Sequence, residues 1–225
     1  MPPARAPRKP APDRRREIVD AALRVIASQG LGRFTSLAIA QEVGLSDGAL
    51  FRHFASKDAI VAAAIDRVEE LLFDGFPPAA DDPIDRLGAF FRRRVEVIRA
   101  HPGISTLVAT EELAKAGARD GVERVAAFRR RSTDFVRSCL AEAGQRRLLA
   151  PGLGAEEGLV IVLGALLALA HATTAPSRET ISAIAPRVWK ALEMLLRGRP
   201  HPPETRARRS ARGRRSSPDP RGEPR

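Results

Sequence analysis

The sequence predicts an all-α protein, and three observations carry that prediction. Apolar residues recur along the body of the chain at helical spacing, and no segment alternates with a period of two. Gly and Pro punctuate these runs, with Ser, Thr or Asp at several of their starts. Ala and Leu are abundant, whereas aromatic residues make up only 4% of the chain and Tyr is absent.

Each element can be justified in turn. A first helix is expected from Asp13 or Arg14, because Ile18, Ala21, Ala22, Val25 and Ile26 form one stripe. Gly30 follows its last turn, where a left-handed cap belongs. Thr35 caps a second helix through Ile39, Ala40 and Val43, which stops at Gly44. Ser46 caps a third that runs to about Phe54, and Ser56 a fourth that runs to about Phe73. The Pro-rich stretch 75–83 reads as a joint between two regions. Beyond it, a helix over Ile84–Ala100 turns Leu87, Phe90, Phe91, Val95 and Ile98 inward. Pro102 opens another helix, ending near Gly117, and Val122–Ala143 is a long amphipathic helix closed by Gly144. Residues 155–172 are apolar almost all round, and 177–197 close the body with a bend expected at Pro186.

Charge divides the chain further. The 225 residues carry a formal charge of +11, but residues 198–225 hold +6 and residues 1–13 hold +2, which leaves the body near +3. Those two segments are too polar and Pro-rich to build a core. The expected division is therefore a basic N-terminal arm, 1–13, a first helical domain, 14–60, a second helical domain, 61–197, and an Arg-rich tail, 198–225. The single cysteine, Cys139, excludes an internal disulfide and fits a reducing compartment. It lies in an apolar pattern, which reads as a small buried side chain. No secretory leader pattern opens the chain, and the most apolar run falls short of the ~20 residues that span a bilayer. A cytoplasmic protein with no membrane partner is expected.

The stretch GLSDGALFRHFASK, residues 44–57, carries the chemistry. Ala40 and Gly44 are the small residue and turn glycine of a helix-turn-helix, and Val43, Leu45, Leu50 and Phe54 point inward to fix the crossing. That leaves Ser46, Asp47, Gly48, Ala49, Phe51, Arg52 and His53 on the outer side or the N-terminal tip of the second helix. In this motif that helix enters the major groove of DNA.

The longer run RFTSLAIAQEVGLSDGALFRHFASKDAI resembles the signature of the TetR family of bacterial transcriptional regulators, over residues 14–66. The resemblance implies an all-helical homodimer, with a three-helix DNA-binding domain over 14–60 and a ligand-binding and dimerisation domain over 61–197 that takes a small inducer. It assigns Thr35 and Ser36 to phosphate at the start of the family's second helix. It places Asp47, Gly48 and Ala49 at the base-reading tip, Arg52 and His53 at base and backbone, and Lys57 on a phosphate. Phe51 departs from the family, which usually has Tyr there. Asp47 has two readings: it accepts a hydrogen bond from cytosine N4, or it is a helix N-terminal charge favoured by the dipole. Phe51 likewise either lies at the backbone or packs on the first helix.

Other patterns in the chain do not make a catalytic or metal site. GLGAEEG, 152–158, has the wrong spacing for a dinucleotide loop and no preceding strand. The pairs Asp81–Asp82, Glu111–Glu112 and Glu156–Glu157 are sequence neighbours, which a helix points apart. His101 and His171 lack metal-ligand spacing. No enzyme activity, metal or cofactor is expected. The apolar residues 155–197 are the expected dimer interface, through Leu159, Leu163, Leu166, Leu167, Val188, Leu192 and Leu195. Partners are then operator DNA, a second copy of the chain and a small apolar inducer, with the Leu, Val, Ile and Phe of the C-terminal helices as its pocket. The nucleoid-occlusion branch of the same family, which acts through a protein partner, has a similar Arg, Thr, acidic-tip and Arg-His-Phe pattern and is the alternative.

Overall fold

The computed structural model describes residues 11–30, 34–109, 119–172 and 178–198. They form helices α1 (Ala11–Gln29), α2 (Ser36–Glu42), α3 (Asp47–Leu50), α4 (Lys57–Phe73) and α5 (Pro83–Ala100), then α6 (Gly103–Ala109), α7 (Arg119–Gln145), α8 (Ala155–Ala172) and α9 (Arg178–Arg197). No strand occurs among the described residues.

Two apolar cores organise these helices. The first gathers Ile18, Ala22 and Ile26 of α1, Ile39 and Ala40 of α2, Leu50 and Phe54, and Ile60, Ala64, Ile65 and Val68 of α4. Val97, Ile104, Val125 and Phe128 join it from the later helices. α4 contributes buried residues from Ile60 to Leu72, so the expected division at residue 60 falls inside one continuous helix. The helix α6 begins hard against α1. A Cβ at Gly103 would collide with the backbone carbonyl of Leu23, and only glycine permits that approach.

The second core packs α5, α7, α8 and α9 around Leu87, Phe91, Val136, Leu140, Val162 and Leu196. At Gly88 a Cβ would stand 2.7 Å from Trp189 ring carbons, so the indole lies directly on the glycine. Cys139 is buried here, and burial pushes its thiol above the ordinary range. Arg197 ties the end of α9 to the start of α5. Its guanidinium donates to both oxygens of Asp82, at 3.0 and 3.1 Å, and to Asp85 at 2.8 Å. Asp82 is itself the N-cap of α5, accepting from the Ile84 and Asp85 amides at 2.7 and 3.1 Å.

Several expectations are corrected. The third helix is α-helical only from Asp47 to Leu50, with a turn carrying the chain on to Phe54. On α5 it is Val97 that is buried, while Ile98 is half-buried, because the C-terminal end of that helix turns towards the first core. α7 runs past Gly144 to Gln145, and the left-handed residue that ends it is Arg147, with φ 56°. Leu159, Leu166 and Leu192 of the expected dimer interface are buried inside the second core of their own chain. Leu163 and Val188 are half-buried against that core, whereas Leu167 and Leu195 are 56% and 51% exposed. The expected end of the sixth helix near Gly117, the pair Glu111–Glu112, residues 1–10 and the tail beyond 198 lie outside the described residues.

Candidate nucleic-acid interface

The corner between α2 and α3 is set by backbone chemistry. Gly44 adopts φ 65°, which costs glycine little and other residues more. Its amide donates to Gln41 O at 3.2 Å while Leu45 N donates to Ala40 O at 2.8 Å, the two bonds of a Schellman ending. Ala40 is fully buried beneath this turn. A larger side chain there would push the two helices apart.

Three helix starts follow one rule. Thr35 Oγ1 accepts from Ala38 N at 3.1 Å, Ser46 Oγ from Ala49 N at 3.2 Å, and Ser56 Oγ from Ala59 N at 3.1 Å. Each cap satisfies the third amide of its helix and leaves the first amides of the turn to other acceptors. Such amides, together with the helix dipole, favour an anionic oxygen.

The side chains around these starts can now be placed. Thr35, Ser46, Asp47, Gly48, Arg52 and Lys57 are exposed, and Ser36 and His53 are partly exposed. A Cβ on Gly48 would meet nothing within 4 Å, so a groove wall could approach its backbone closely. Phe51 is 40% exposed, which leaves part of the ring on the outer face beside Arg52. Ala49 is the exception. It is only 7% exposed, because its methyl turns towards the packed side of α3. Its expected place on the outer face is corrected to the inner one.

Two residues at this end were missed by sequence reasoning. Arg15 of α1 donates to the His53 carbonyl, and its guanidinium stacks 4.2 Å from the Phe54 ring, bracing the end of α3. Leu37 is 56% exposed on α2, on the side away from the buried pair Ile39 and Ala40. An apolar residue off its helix's apolar stripe was the available signal, since the stripe runs through Ile39, Ala40 and Val43. Lys57 holds its ammonium 5.4 Å from the Phe34 ring, while the side chain stays exposed. An ion pair at 2.8 Å between Arg24 and Glu42 fastens α1 to α2. Both partners are exposed, so it contributes about 0–1 kcal/mol.

A cleft of about 440 Å³ lies between α5 and α9, where Phe91, Val95, Ala185 and Pro186 give it an apolar wall and Arg92, Glu96 and Arg99 a charged edge. Most other Leu, Val, Ile and Phe side chains of these helices fill the second core. A cleft of about 750 Å³ opens beside α4, and its wall is charged, with Arg16, Asp66, Arg67, Glu69, Glu70 and Asp74 joined by Phe73 and Arg131. No described helix is long and apolar enough to cross a membrane.

Comparison with known proteins agrees with this arrangement. Residues 18–64 match the family model described as "Bacterial regulatory proteins, tetR family", which covers α2 and α3 and most of α1. The chain is 29% identical over 145 residues to the nucleoid occlusion factor SlmA of Marinomonas sp. (strain MWYL1), spanning 63% of this chain and 73% of that one. Against further curated relatives it spans about half their length, from 44% to 55%. The ketosteroid transcriptional regulator KstR2 of Mycobacterium tuberculosis superposes with a TM-score of 0.66 at 18% identity, over 83% of this chain and 96% of that chain. AibR, solved in complex with isovaleryl coenzyme A and operator DNA, superposes with a TM-score of 0.63 at 18% identity, over 82% and 98%. Identities this low speak for the shared fold alone.

Proposed function

Because the chain belongs to the TetR family of DNA-binding transcriptional regulators, we propose that it is a ligand-responsive repressor that binds a palindromic operator as a homodimer. The observation that carries the DNA-binding part is the helix-turn-helix corner, with three capped helix starts and exposed Asp47, Gly48, Phe51, Arg52 and Lys57 around it. In this reading Thr35, Ser36, Ser46 and Lys57 hold phosphates and fix register. Asp47, Gly48 and Arg52 face base edges, and His53 bridges base and backbone. Ala49 acts through packing, by setting how deep α3 sits. A two-fold pair of such corners would read half-sites about one helical turn apart.

The homodimer is proposed to form through the outer faces of α8 and α9. Val160 is 71% exposed, Met194 57% and Leu195 51%, which is a large apolar display for one chain. Gly164 lies exposed between Val160 and Leu167 on the same side of α8 and would let a partner helix come close. The regulator reading is tested by genomic footprinting with the purified protein. One palindromic class of site upstream of a few genes is expected, and sites scattered without a shared sequence would count against it.

A second reading is favoured by the SlmA similarity, which extends beyond the DNA-binding region over 145 residues. Here the chain would occupy many chromosomal sites and act on cell division through a protein partner. Deleting its gene separates the two. A division defect with unchanged transcripts favours the second, and changed transcripts with normal division favour the first.

A further inference from the structure

Arg94 on α5 is the one charged side chain buried among the described residues, with 7% of its surface exposed. Its Nη2 donates to Ser132 Oγ at 3.0 Å, but its Nη1 is buried with no hydrogen-bond partner at all. The guanidinium lies 5.1 Å from the Phe73 ring and 4.9 Å from Phe90. A second guanidinium, that of Arg131 on α7, lies 4.0 Å from the same Phe73 ring and 5.0 Å from Phe76. Among the described residues neither has a carboxylate within ion-pair distance. Their neighbours do: Arg93 pairs with Asp74 at 3.1 Å, Arg67 with Asp20 and Glu70 at 3.2 and 3.0 Å, and Arg124 with Asp66 and Glu69.

Two cations on one aromatic ring, one of them closed off from water, are costly without an anion. Burial, with repulsion from Arg131 and Arg93, pushes the Arg94 guanidinium down to about 10, so it still carries its charge at neutral pH. A methionine would fill the same space without that cost. On the side away from the cleft further rings pack together: Phe76 and Phe135 have ring centroids 4.9 Å apart, and Phe90 and Phe135 5.2 Å.

We propose that Arg94 and Arg131 receive the anionic head of a small amphipathic ligand, a carboxylate or a phosphate ester, whose apolar body lies among Phe73, Phe76, Phe90 and Phe135. The charged cleft gives the approach, because Phe73 and Arg131 belong to its wall and Arg94 lies against the same Phe73 ring. The acids of that cleft do not compete, since Asp66, Glu69, Glu70 and Asp74 are each held by an arginine. A shift of the Phe73 and Arg131 side chains opens Nη1. The guanidinium then offers that nitrogen to an oxyanion, and the Ser132 hydroxyl, which accepts from Nη2, keeps its own proton to donate. The ligand is thus an organic anion instead of the wholly apolar molecule expected from composition. The inference rests on the regulator reading only in calling this ligand an inducer.

Calorimetry on the free full-length protein tests the site without DNA, so its failure is distinct from a failure of operator binding. The probes are octanoate, octyl phosphate and the neutral octanol. One or both anions should bind at least about tenfold more tightly than octanol, as a charge-assisted hydrogen bond implies. Arg94→Gln and Arg131→Gln should each abolish that preference. Preference for octanoate assigns a carboxylate head, and preference for octyl phosphate a phosphate. Equal binding of octanol, no binding of either anion, or a preference that survives Arg94→Gln overturns the proposal. Arg94→Met provides a second measurement: it should raise the melting temperature of the ligand-free protein. A lower melting temperature, or failure to fold, would make Arg94 a structural support and sink the idea as well.

Discussion

Lys57 stands exposed in the first turn of α4, beside the Ser56 cap and over the face of Phe34. A lysine so placed meets a phosphate as a point charge, with no information about sequence. Lys57→Ala should therefore weaken binding to operator and random duplex alike, and lower the salt slope by about one unit. A salt titration with unchanged slope would remove Lys57 from the interface. Phe51 allows the opposite experiment, a gain of contact. Its ring is 40% exposed, so packing on the first helix does not consume it. Phe51→Tyr should add a hydroxyl within reach of the backbone and tighten both kinds of complex by about 0.5–1.5 kcal/mol. A gain confined to the operator would mean that the ring faces bases. At this scale the geometry of the corner was legible, because its caps and its turn glycine declare themselves in sequence. Ala49 was not. In a turn as short as α3 the 3.6-residue rule has too few positions to tell an inner residue from an outer one. Arg94 was not legible either, since burial of a charge depends on which other helices arrive over it.

Two helix ends show how far local chemistry determines an element. The chain after α7 makes both Schellman bonds, Arg147 N to Gly144 O at 3.0 Å and Leu148 N to Ala143 O at 2.8 Å. The left-handed position is thus Arg147, three residues after the glycine that was expected to close the helix. A non-glycine residue there carries about 1 kcal/mol of strain. Arg147→Gly should stabilise the protein by about 0.5–1 kcal/mol, a rise of about 1–4 °C in melting temperature. No change in a thermal melt would mean that the side chain compensates. The start of α5 is held differently, by Asp82. Its carboxyl is kept below the ordinary carboxylate range, first by hydrogen bonding to Arg197 and further by the amides it caps. A depressed acid contributes its stability above its unfolded value, and that contribution disappears as pH falls through the lowered folded value. Asp82→Ala should lose the cap, about 1 kcal/mol, together with the Arg197 contact. Asp82→Asn should keep most of the cap and lose only the acid-sensitive part, which paired urea melts at neutral and acidic pH would separate. Loss of the same stability by both variants at every pH would remove the charge from the account. Capping residues made the beginnings of elements readable. Their ends were harder, because the glycine rule points to Gly144, whereas the left-handed turn falls at Arg147, next to Leu148 packed on the second core.

At the scale of the whole molecule, a single hydropathy pattern had to serve two purposes. α8 is apolar nearly all round, and sequence alone cannot assign one face to its own chain and the other to a partner. The fold divides them: Leu159, Val162, Leu166 and Leu169 enter the second core, while Val160 and Leu167 lie exposed. α9 divides in the same way, with Trp189, Leu192 and Leu196 inside and Met194 and Leu195 outside. Substitutions on the two faces should then fail differently. Leu166→Asp would bury an unpaired carboxylate in the chain's own core, at a cost of several kcal/mol, and should unfold it. Leu195→Asp leaves that core untouched and places its charge where the proposed partner would seat. It should yield a folded monomer with native helix content and weak operator binding, because one half-site gives up the second set of contacts. Sedimentation and circular dichroism on both variants read these outcomes together. A Leu195→Asp protein that remains dimeric would move the interface off α9, and one that unfolds like Leu166→Asp would show that the outer face supports the chain itself.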